Sequence, residues 1–447
     1  MQIRKIWIEK LGGLADFHLA FPSPLEYHFG EMKVSILVGE NGTGKTSILK
    51  FLSQIFVDQR YFDQLKSSFH LEYEINGVEN FLSNQSYSNN CLPSKVIVSS
   101  YSAFEPYRYN SPKNYSPAEY IYLGTLGKGT FGPIGPIASL SSVCIPILET
   151  FFHKDKRKLS AIQELLNEIG YIEVPQIQLS FIQSENYLNK KYENLKDQGI
   201  TDENLMEIRY LLEKLHTFHR DVLNIKRVRG RHLLDPIILE NYVDGPSGWL
   251  SDVKRLANLP GGFNIVKSLS FRKGNEFVPL NQLSSGELSM FFRFFKLIAA
   301  ISDNSIVLID EPETHLHPRW IQKYLNMLKS IFSNFDTHFI IATHSPLIAA
   351  DVPNESIIGL RKNNNGRVEQ YFVNEQTLGT SPQEILREVF KLDNHFGDFT
   401  NDTILKINKL IDKGKIDLAK KLYDDLGDSD EKFSLFLRMK QQLDKGK

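Results

Sequence analysis

Near the amino terminus apolar and polar positions alternate: Ile6 and Ile8, then Phe17, Leu19 and Phe21, on either side of Gly12-Gly13. That period of two predicts two half-buried strands joined by a turn. Val34 to Val38 is a buried-strand run ending at Gly39, and beyond Lys45 the residues Ile48, Leu49, Phe51, Leu52 and Ile55 recur at a helical period. The same grammar returns late in the chain. Ser305 to Ile309 and His338 to Ala342 read as strands, Leu288 to Ile301 as a strongly apolar helix, and Pro318 opens a helix through Trp320, Tyr324 and Leu328. The fold class expected is α/β.

Between these halves the pattern changes. Tyr115 to Pro136, rich in Gly, Pro, Tyr and Ser, reads as loops, followed by helical stretches near Lys158 to Ile169, Glu185 to Lys196 and Asp202 to Asn224. In the last, Leu205, Ile208, Leu212, Leu215 and Phe218 mark one apolar face behind a Thr201 cap. No long heptad train is present, so a compact, mostly helical insertion is expected rather than a coiled-coil arm. After the strands of Ile357 to Val373, Gly379-Thr380-Ser381-Pro382 opens a short helix. Helical patterns near Thr403 to Ile411, Asp417 to Leu426 and Glu431 to Leu443 follow, broken at Gly414 and Gly427.

At 447 residues the chain exceeds one ordinary core, which fits a main domain with an insertion and a tail. The boundaries expected are 1–110 and 263–375 for the two lobes of the head, 111–262 for the insertion and 376–447 for a helical docking region. Charge adds little, because 52 Lys+Arg nearly cancel 53 Asp+Glu and no global basic field advertises nucleic acid. The densest local patch is Lys226, Arg227, Arg229, Arg231 and His232, which suits a nucleic-acid backbone, a solvated loop or an acidic partner equally. Cys91 and Cys144 fit neither a disulfide framework nor a thiolate metal site. With no signal-peptide core in Met1 to Lys10 and no membrane-length apolar run, a cytoplasmic protein is expected.

Chemistry enters where the strands end. Gly39-Glu40-Asn41-Gly42-Thr43-Gly44-Lys45-Thr46 lies between a strand and a helix start, the context a P-loop requires. Small residues let backbone N–H groups close around phosphate oxygens, and the helix dipole favours their charge. The expected ATP contacts are Gly39, Asn41, Gly42, Gly44, Lys45, Thr46 and Ser47, with Thr46 also a Mg²⁺ ligand. Asp310 ends its strand and would hold the Mg²⁺ through water, while Glu311 would polarise the attacking water. An Asp-Glu pair in that place is also a common helix cap. His344, delivered by the next strand, can sense the γ phosphate. His315 and His317 are spaced like metal ligands, but nothing nearby completes a set, which favours a structural or subunit-contact role.

Leu283-Ser284-Ser285-Gly286-Glu287 stands directly before the apolar helix and makes a second anion site at a helix amino terminus. One nucleotide does not need two phosphate cradles from one subunit. A head-to-tail dimer does, with each ATP clamped between the P-loop of one protomer and Ser284, Ser285 and Gly286 of the other.

The set Gly-x-x-Gly-x-Gly-Lys-Thr, Leu-Ser-Ser-Gly-Glu, Asp-Glu-Pro-Glu-x-His-Leu-His-Pro and Thr-His-Ser-Pro resembles the ABC-type ATPase heads of the SMC, RecF and OLD group. It is most similar to the OLD-like ATPases of bacterial anti-phage systems, among them the Septu, retron-associated and PARIS types. The resemblance implies a P-loop NTPase fold of ABC type, ATP and Mg²⁺ as cofactors, Glu311 as catalytic carboxylate and His344 as sensor. Ser285 and Glu287 stand where transporters carry Gly and Gln, and no glutamine lid is recognisable after Ser99-Ser100-Tyr101-Ser102. Fused OLD-type nucleases would need a carboxylate cluster on strand ends. Asp428-Ser429-Asp430 has no strand before it, so no nuclease is expected here. The resemblance therefore implies a homodimer around ATP, further assembly, and control of a separate HNH nuclease or Toprim effector. The alternative is a RecF-like clamp that closes on DNA in repair or replication.

Overall fold

The computed structural model describes residues 1–22, 26–58, 61, 65–84, 91–101, 107, 118–124, 155–182, 193, 200–222, 225–228, 231–234, 237–238, 247–259, 266–392 and 396–445. They fall into two compact units, Met1–Thr380 and Ser381–Lys447.

The first unit is organised by a seven-stranded sheet: β3 (Lys33–Gly39), β6 (Lys95–Ser100), β7 (Glu119–Tyr122), β14 (Ser305–Asp310), β15 (Thr337–Ala342), β16 (Ile357–Lys362) and β17 (Val368–Phe372). Their order is β17-β16-β3-β15-β14-β6-β7, and only the β16–β17 pair is antiparallel. β14 and β15 are buried at every position, which is why their sequences run apolar without alternation. The pairings Leu37↔Ala342, Ala342↔Asp310 and Asp310↔Ser100 bring the carboxyl ends of four strands to one edge. That edge is where a parallel α/β sheet receives ligands.

Helix α1 (Lys45–Ile55) covers one face of this sheet, burying Ile48, Leu49, Phe51, Leu52 and Ile55 with Leu37, Val96, Leu308 and Ile340. The same core takes in an antiparallel sheet, β1 (Gln2–Leu11), β2 (Leu14–Ala20), β4 (Phe69–Ile75) and β5 (Val78–Ser83), in the order β2-β1-β4-β5. Each of those large side chains contributes about 2 kcal/mol by burial, so the core holds the two sheets against the helix. Across the parallel sheet lie α2 (Lys156–Glu168), α5 (Ser285–Ala300) and α6 (Pro318–Phe332), numbered after α3 (Asp202–Val222) and α4 (Ser247–Asn258) of the insertion. Phe332 joins these layers, with ring centroids 6.2 Å from Phe294 and 5.5 Å from Phe339.

His338 ties the two sheets together. Its Nδ1 accepts the Ile3 N–H at 3.0 Å, so the proton sits on Nε2, which meets Ser35 Oγ at 2.9 Å. Burial, reinforced by the Met1 amine, Lys33 and Arg4, pushes the imidazole pKa down to about 3. The folded value lies below the unfolded value of about 6.5. The neutral ring's contribution is therefore intact above that value and is lost as pH falls from 6.5 toward 3, on the order of a few kcal/mol. Unfolding midpoints measured from pH 7 to pH 4 should fall more steeply for wild type than for His338→Gln. Parallel profiles would remove this account.

The insertion carries its helices together with strands that the sequence reading did not anticipate. It contains α2, α3 and α4, but also a second sheet built on β8 (Ile172–Ile182), β9 (Ile225–Val228), β10 (Arg231–Leu234) and β11 (Ile237–Ile238), continued by β12 (Val266–Lys273) and β13 (Glu276–Pro279). The expected loops at Tyr115 to Pro136 likewise include strand β7, while 125–136 lie outside the described residues, as does nearly all of the helix expected at Glu185 to Lys196. Asn204 N–H donates to Thr201 Oγ1 at 3.4 Å, the cap expected for α3. The basic stretch lies on the antiparallel β9–β10 pair: Arg227 pairs with His232, Lys226 with Leu233 and Val228 with Arg231, while Arg229 lies outside the described residues.

The second unit consists of α7 (Pro382–Glu388), α8 (Asp398–Asp412), α9 (Ile416–Asp424) and α10 (Asp430–Lys445). Its small core is Ile407, Ile411, Ala419, Leu435 and Met439, and Arg438 links α10 to α8 through Asp412 at 2.7 Å. Ser429 accepts the Lys432 N–H at 3.1 Å, so the Asp428-Ser429-Asp430 stretch belongs to the start of α10 and follows a helix, not a strand.

Candidate functional site

The P-loop closes between β3 and α1 because its glycines adopt backbone forbidden to other residues. Gly39 has φ 149°, and a Cβ there would stand 2.3 Å from the Leu360 carbonyl; at Gly44, with φ 85°, it would meet Leu14 at 2.8 Å. Gly44 caps α1, so the loop amides gather at a helix amino terminus. Lys45 is folded back over the loop, its Nζ donating to Gly39 O at 2.8 Å and Glu40 O at 3.1 Å. Burial pushes its pKa down to about 8 against the pull of Asp310, Glu311 and Glu313. A phosphate arriving at the loop would offer this ammonium the countercharge that two carbonyls do not.

Asp310 lies across from Thr46, whose hydroxyl donates to it at 3.2 and 3.5 Å. Tyr107 donates a second hydroxyl to Asp310 at 2.7 Å, and burial holds the carboxyl above its ordinary range. Hydroxyl and carboxylate oxygens suit Mg²⁺, which takes few protein ligands and completes its shell with phosphate and water. The Thr46 hydroxyl and the Asp310 carboxylate are an oxygen pair of that kind. Beside Asp310 at the sheet edge, the buried Ser100 Oγ has no partner among the described residues.

Glu311 follows in a left-handed conformation, φ 49°, rare for a residue with a side chain. Its N–H donates to Ala342 O at 2.9 Å, and Thr314 Oγ1 reaches its Oε2 at 3.3 Å. His344 leaves the neighbouring strand half-buried, its pKa lowered by burial and then by Lys45, with Glu311 opposing. Lys45, Thr46, Asp310, Glu311 and His344, up to 299 positions apart in numbering, thus share one sheet edge.

The signature loop is separately built. Ser284 caps α5 and forms a reciprocal capping box with Glu287: Ser284 N–H reaches Oε2 at 2.9 Å, and Ser284 Oγ accepts the Glu287 N–H at 3.3 Å. The glutamate that replaces the transporters' glutamine thus holds the helix start. Gly286 lies against Trp320, where a Cβ would stand 2.8 Å from the indole nitrogen. His317 caps α6, its Nδ1 accepting the Arg319 N–H at 3.2 Å, which explains one member of the metal-like His pair. Among the described contacts, none links Ser284, Ser285 or Gly286 to the P-loop.

Several neighbours escaped sequence reasoning. Arg293, buried in α5 and 3.6 Å over the Tyr101 ring, donates to Pro312 O and Thr314 O, both at 2.6 Å, and so pins the turn that carries Glu311. Lys362 Nζ lies 3.4 Å from where a Gly42 side chain would begin. Tyr107 comes from a stretch of sequence with no recognisable motif. Nothing in the local sequence of these residues marks them, because each acts through a contact distant in the chain.

The parallel sheet, the P-loop and the strand-end acids define a P-loop NTPase fold. Residues 154–351 match the family described as "AAA domain, putative AbiEii toxin, Type IV TA system", a stretch that includes the signature, Asp310-Glu311 and His344 but not the P-loop. The chain is 31% identical over 114 residues to protein ea59 of Escherichia phage lambda, covering 26% of this chain and 22% of that protein. It is 29% identical over 172 residues to the retron Vc95 probable ATPase of Vibrio cholerae serotype O1 biovar El Tor, covering 38% and 28%. To the Septu protein PtuA of Bacillus thuringiensis it is 30% identical over 171 residues, covering 34% and 43%. The matches span less than half the length of each relative. Among the described residues no helix is long and apolar enough to cross a membrane.

Proposed function

We propose that this chain binds and hydrolyses ATP between two of its copies and that the cycle controls a separate effector in anti-phage defence. The observation that carries the reading is the convergence of Lys45, Thr46, Asp310, Glu311 and His344 on one strand edge, with a second helix amino terminus at Ser284–Gly286. In this reading Thr46 and Asp310 would hold Mg²⁺, which supplies charge neutralisation to the phosphates. Glu311 orients and deprotonates the attacking water, and His344 donates a hydrogen bond to the γ phosphate. Lys45 neutralises developing charge on the transferred group. The partner's Ser284, Ser285 and Gly286 close the same nucleotide, so the ATP-bound and nucleotide-free chains differ in how they associate. Control of an effector then rests on its different affinity for the two states. The retron and Septu relatives support defence as the setting, and the helical unit Ser381–Lys447 is the docking element in this proposal.

Co-purification of the chain with its genomic neighbours, followed by mass measurement with and without ATP·Mg²⁺, tests it. A complex with a small HNH or Toprim protein and a nucleotide-dependent mass supports defence control. A chain that stays alone and monomeric in both states overturns it. Tight, salt-sensitive DNA binding by the isolated chain, reduced by charge removal at Lys226, Arg227 and Arg231, would favour the clamp instead.

A further inference from the structure

Glu313 has no part in the chemistry assigned above, yet it occupies the seam between the strand that supplies Glu311 and the strand that supplies His344. One carboxylate oxygen, Oε1, accepts both the Thr343 hydroxyl at 2.8 Å and the His344 N–H at 2.6 Å. Thr343 Oγ1 in turn accepts the Ser345 N–H at 2.9 Å. A single oxygen therefore gathers three consecutive residues around the histidine. The N–H···O contact of 2.6 Å is shorter than an ordinary backbone amide bond.

Glu313 itself is held in place from its own side. Its carbonyl accepts the Leu316 N–H at 3.0 Å, and Arg293 grips the flanking Pro312 and Thr314 carbonyls. The turn from Glu311 to His315 runs through left-handed backbone at both ends, φ 49° and 62°, so it persists only because such contacts over-determine it. The other oxygen, Oε2, is buried without a partner among the described residues. An orphaned carboxylate oxygen costs free energy, and a side chain kept only for packing would not carry one.

We infer that Glu313 is the positioning residue of the site: its Oε1 sets the His344 backbone in register with the Glu311 turn, so that sensor and base meet the same phosphate. This rests on the proposed ATP hydrolysis. Its demand is for reach and an acceptor oxygen, not for charge or proton transfer.

The full chain is assayed for steady-state ATP hydrolysis and for ATP affinity, with thermal midpoints measured alongside. Glu313→Gln keeps an acceptor at the same distance and should retain kcat within about threefold. Glu313→Asp keeps the charge but draws the oxygen back by one methylene, and Glu313→Ala removes it. Both should lower kcat about 10–100-fold, with ATP affinity little changed, the scale expected when a reacting group is displaced by about 1 Å. In a His344→Ala background the same Asp and Ala changes should cost less than about twofold more, because the group they position is gone.

An Asp variant as active as Gln, or losses that multiply fully in the His344→Ala background, would overturn the inference. Should the Ala variant fail to fold, the Gln and Asp pair decides alone. Absence of hydrolysis by the wild-type chain would instead strike at the proposed function, and is read separately.

Discussion

Glu311→Gln is expected to bind ATP within a few-fold of wild type, to hydrolyse it about 10²–10³-fold more slowly, and to accumulate as a closed ATP-bound dimer. Gln preserves the shape of the side chain and the acceptor that Thr314 Oγ1 meets at 3.3 Å, and the backbone bond from Glu311 N–H to Ala342 O does not involve the side chain. What it removes is the ability to take a proton from water. Asp310 is poorly placed to substitute, since its carboxyl is already engaged by Thr46 and by Tyr107 at 2.7 Å. Steady-state phosphate release and light scattering with ATP·Mg²⁺ measure both arms. Hydrolysis at the wild-type rate would remove Glu311 from the catalytic role.

Lys45→Ala should weaken ATP binding by about 10–100-fold or more, the scale of one or more charged hydrogen bonds lost from a buried site. In the structure the ammonium is retained by Gly39 O and Glu40 O, and its pKa is pushed down to about 8 by burial. Its nearest acids, Asp310, Glu311 and Glu313, moderate that shift without an ion pair of hydrogen-bond length. A phosphate group at the loop would supply the missing partner at short range, so nucleotide affinity depends directly on this charge. Calorimetric titration of the folded variant with ATP·Mg²⁺ is the measurement. Unchanged affinity would withdraw the P-loop assignment.

Legibility followed the range of the interactions. The P-loop could be read because strand, glycines, lysine and helix are adjacent in the chain, and the glycines are needed by the backbone itself. The helix start after Leu283-Ser284-Ser285-Gly286-Glu287 and the proline-led start of α6 are likewise local. The sheet of the insertion escaped sequence reading for an equally physical reason. In β8 the apolar positions shift from Ile172 and Val174 to Ile177, Leu179 and Phe181, across Pro175, and the pairing with β12 changes register there. A bulged strand loses the period that would identify it. The β9 sequence Ile225-Lys226-Arg227-Val228 hides its strand behind charge.

By itself, the sequence determined which residue types can hold phosphate and metal, and in what local setting, because backbone amides, helix starts and strand ends are specified over a few residues. It also marked two helix starts, at Lys45 and at Ser285, that the proposal reads as phosphate cradles. Only the tertiary structure decided that β15 lies between β3 and β14, which sets His344 beside the P-loop and Glu311. Only it placed Tyr107 on Asp310, Arg293 on the Glu311 turn, and Glu313 under His344. Those contacts join residues as much as 203 positions apart, and their partners are chosen by strand order and burial, for which no local pattern exists.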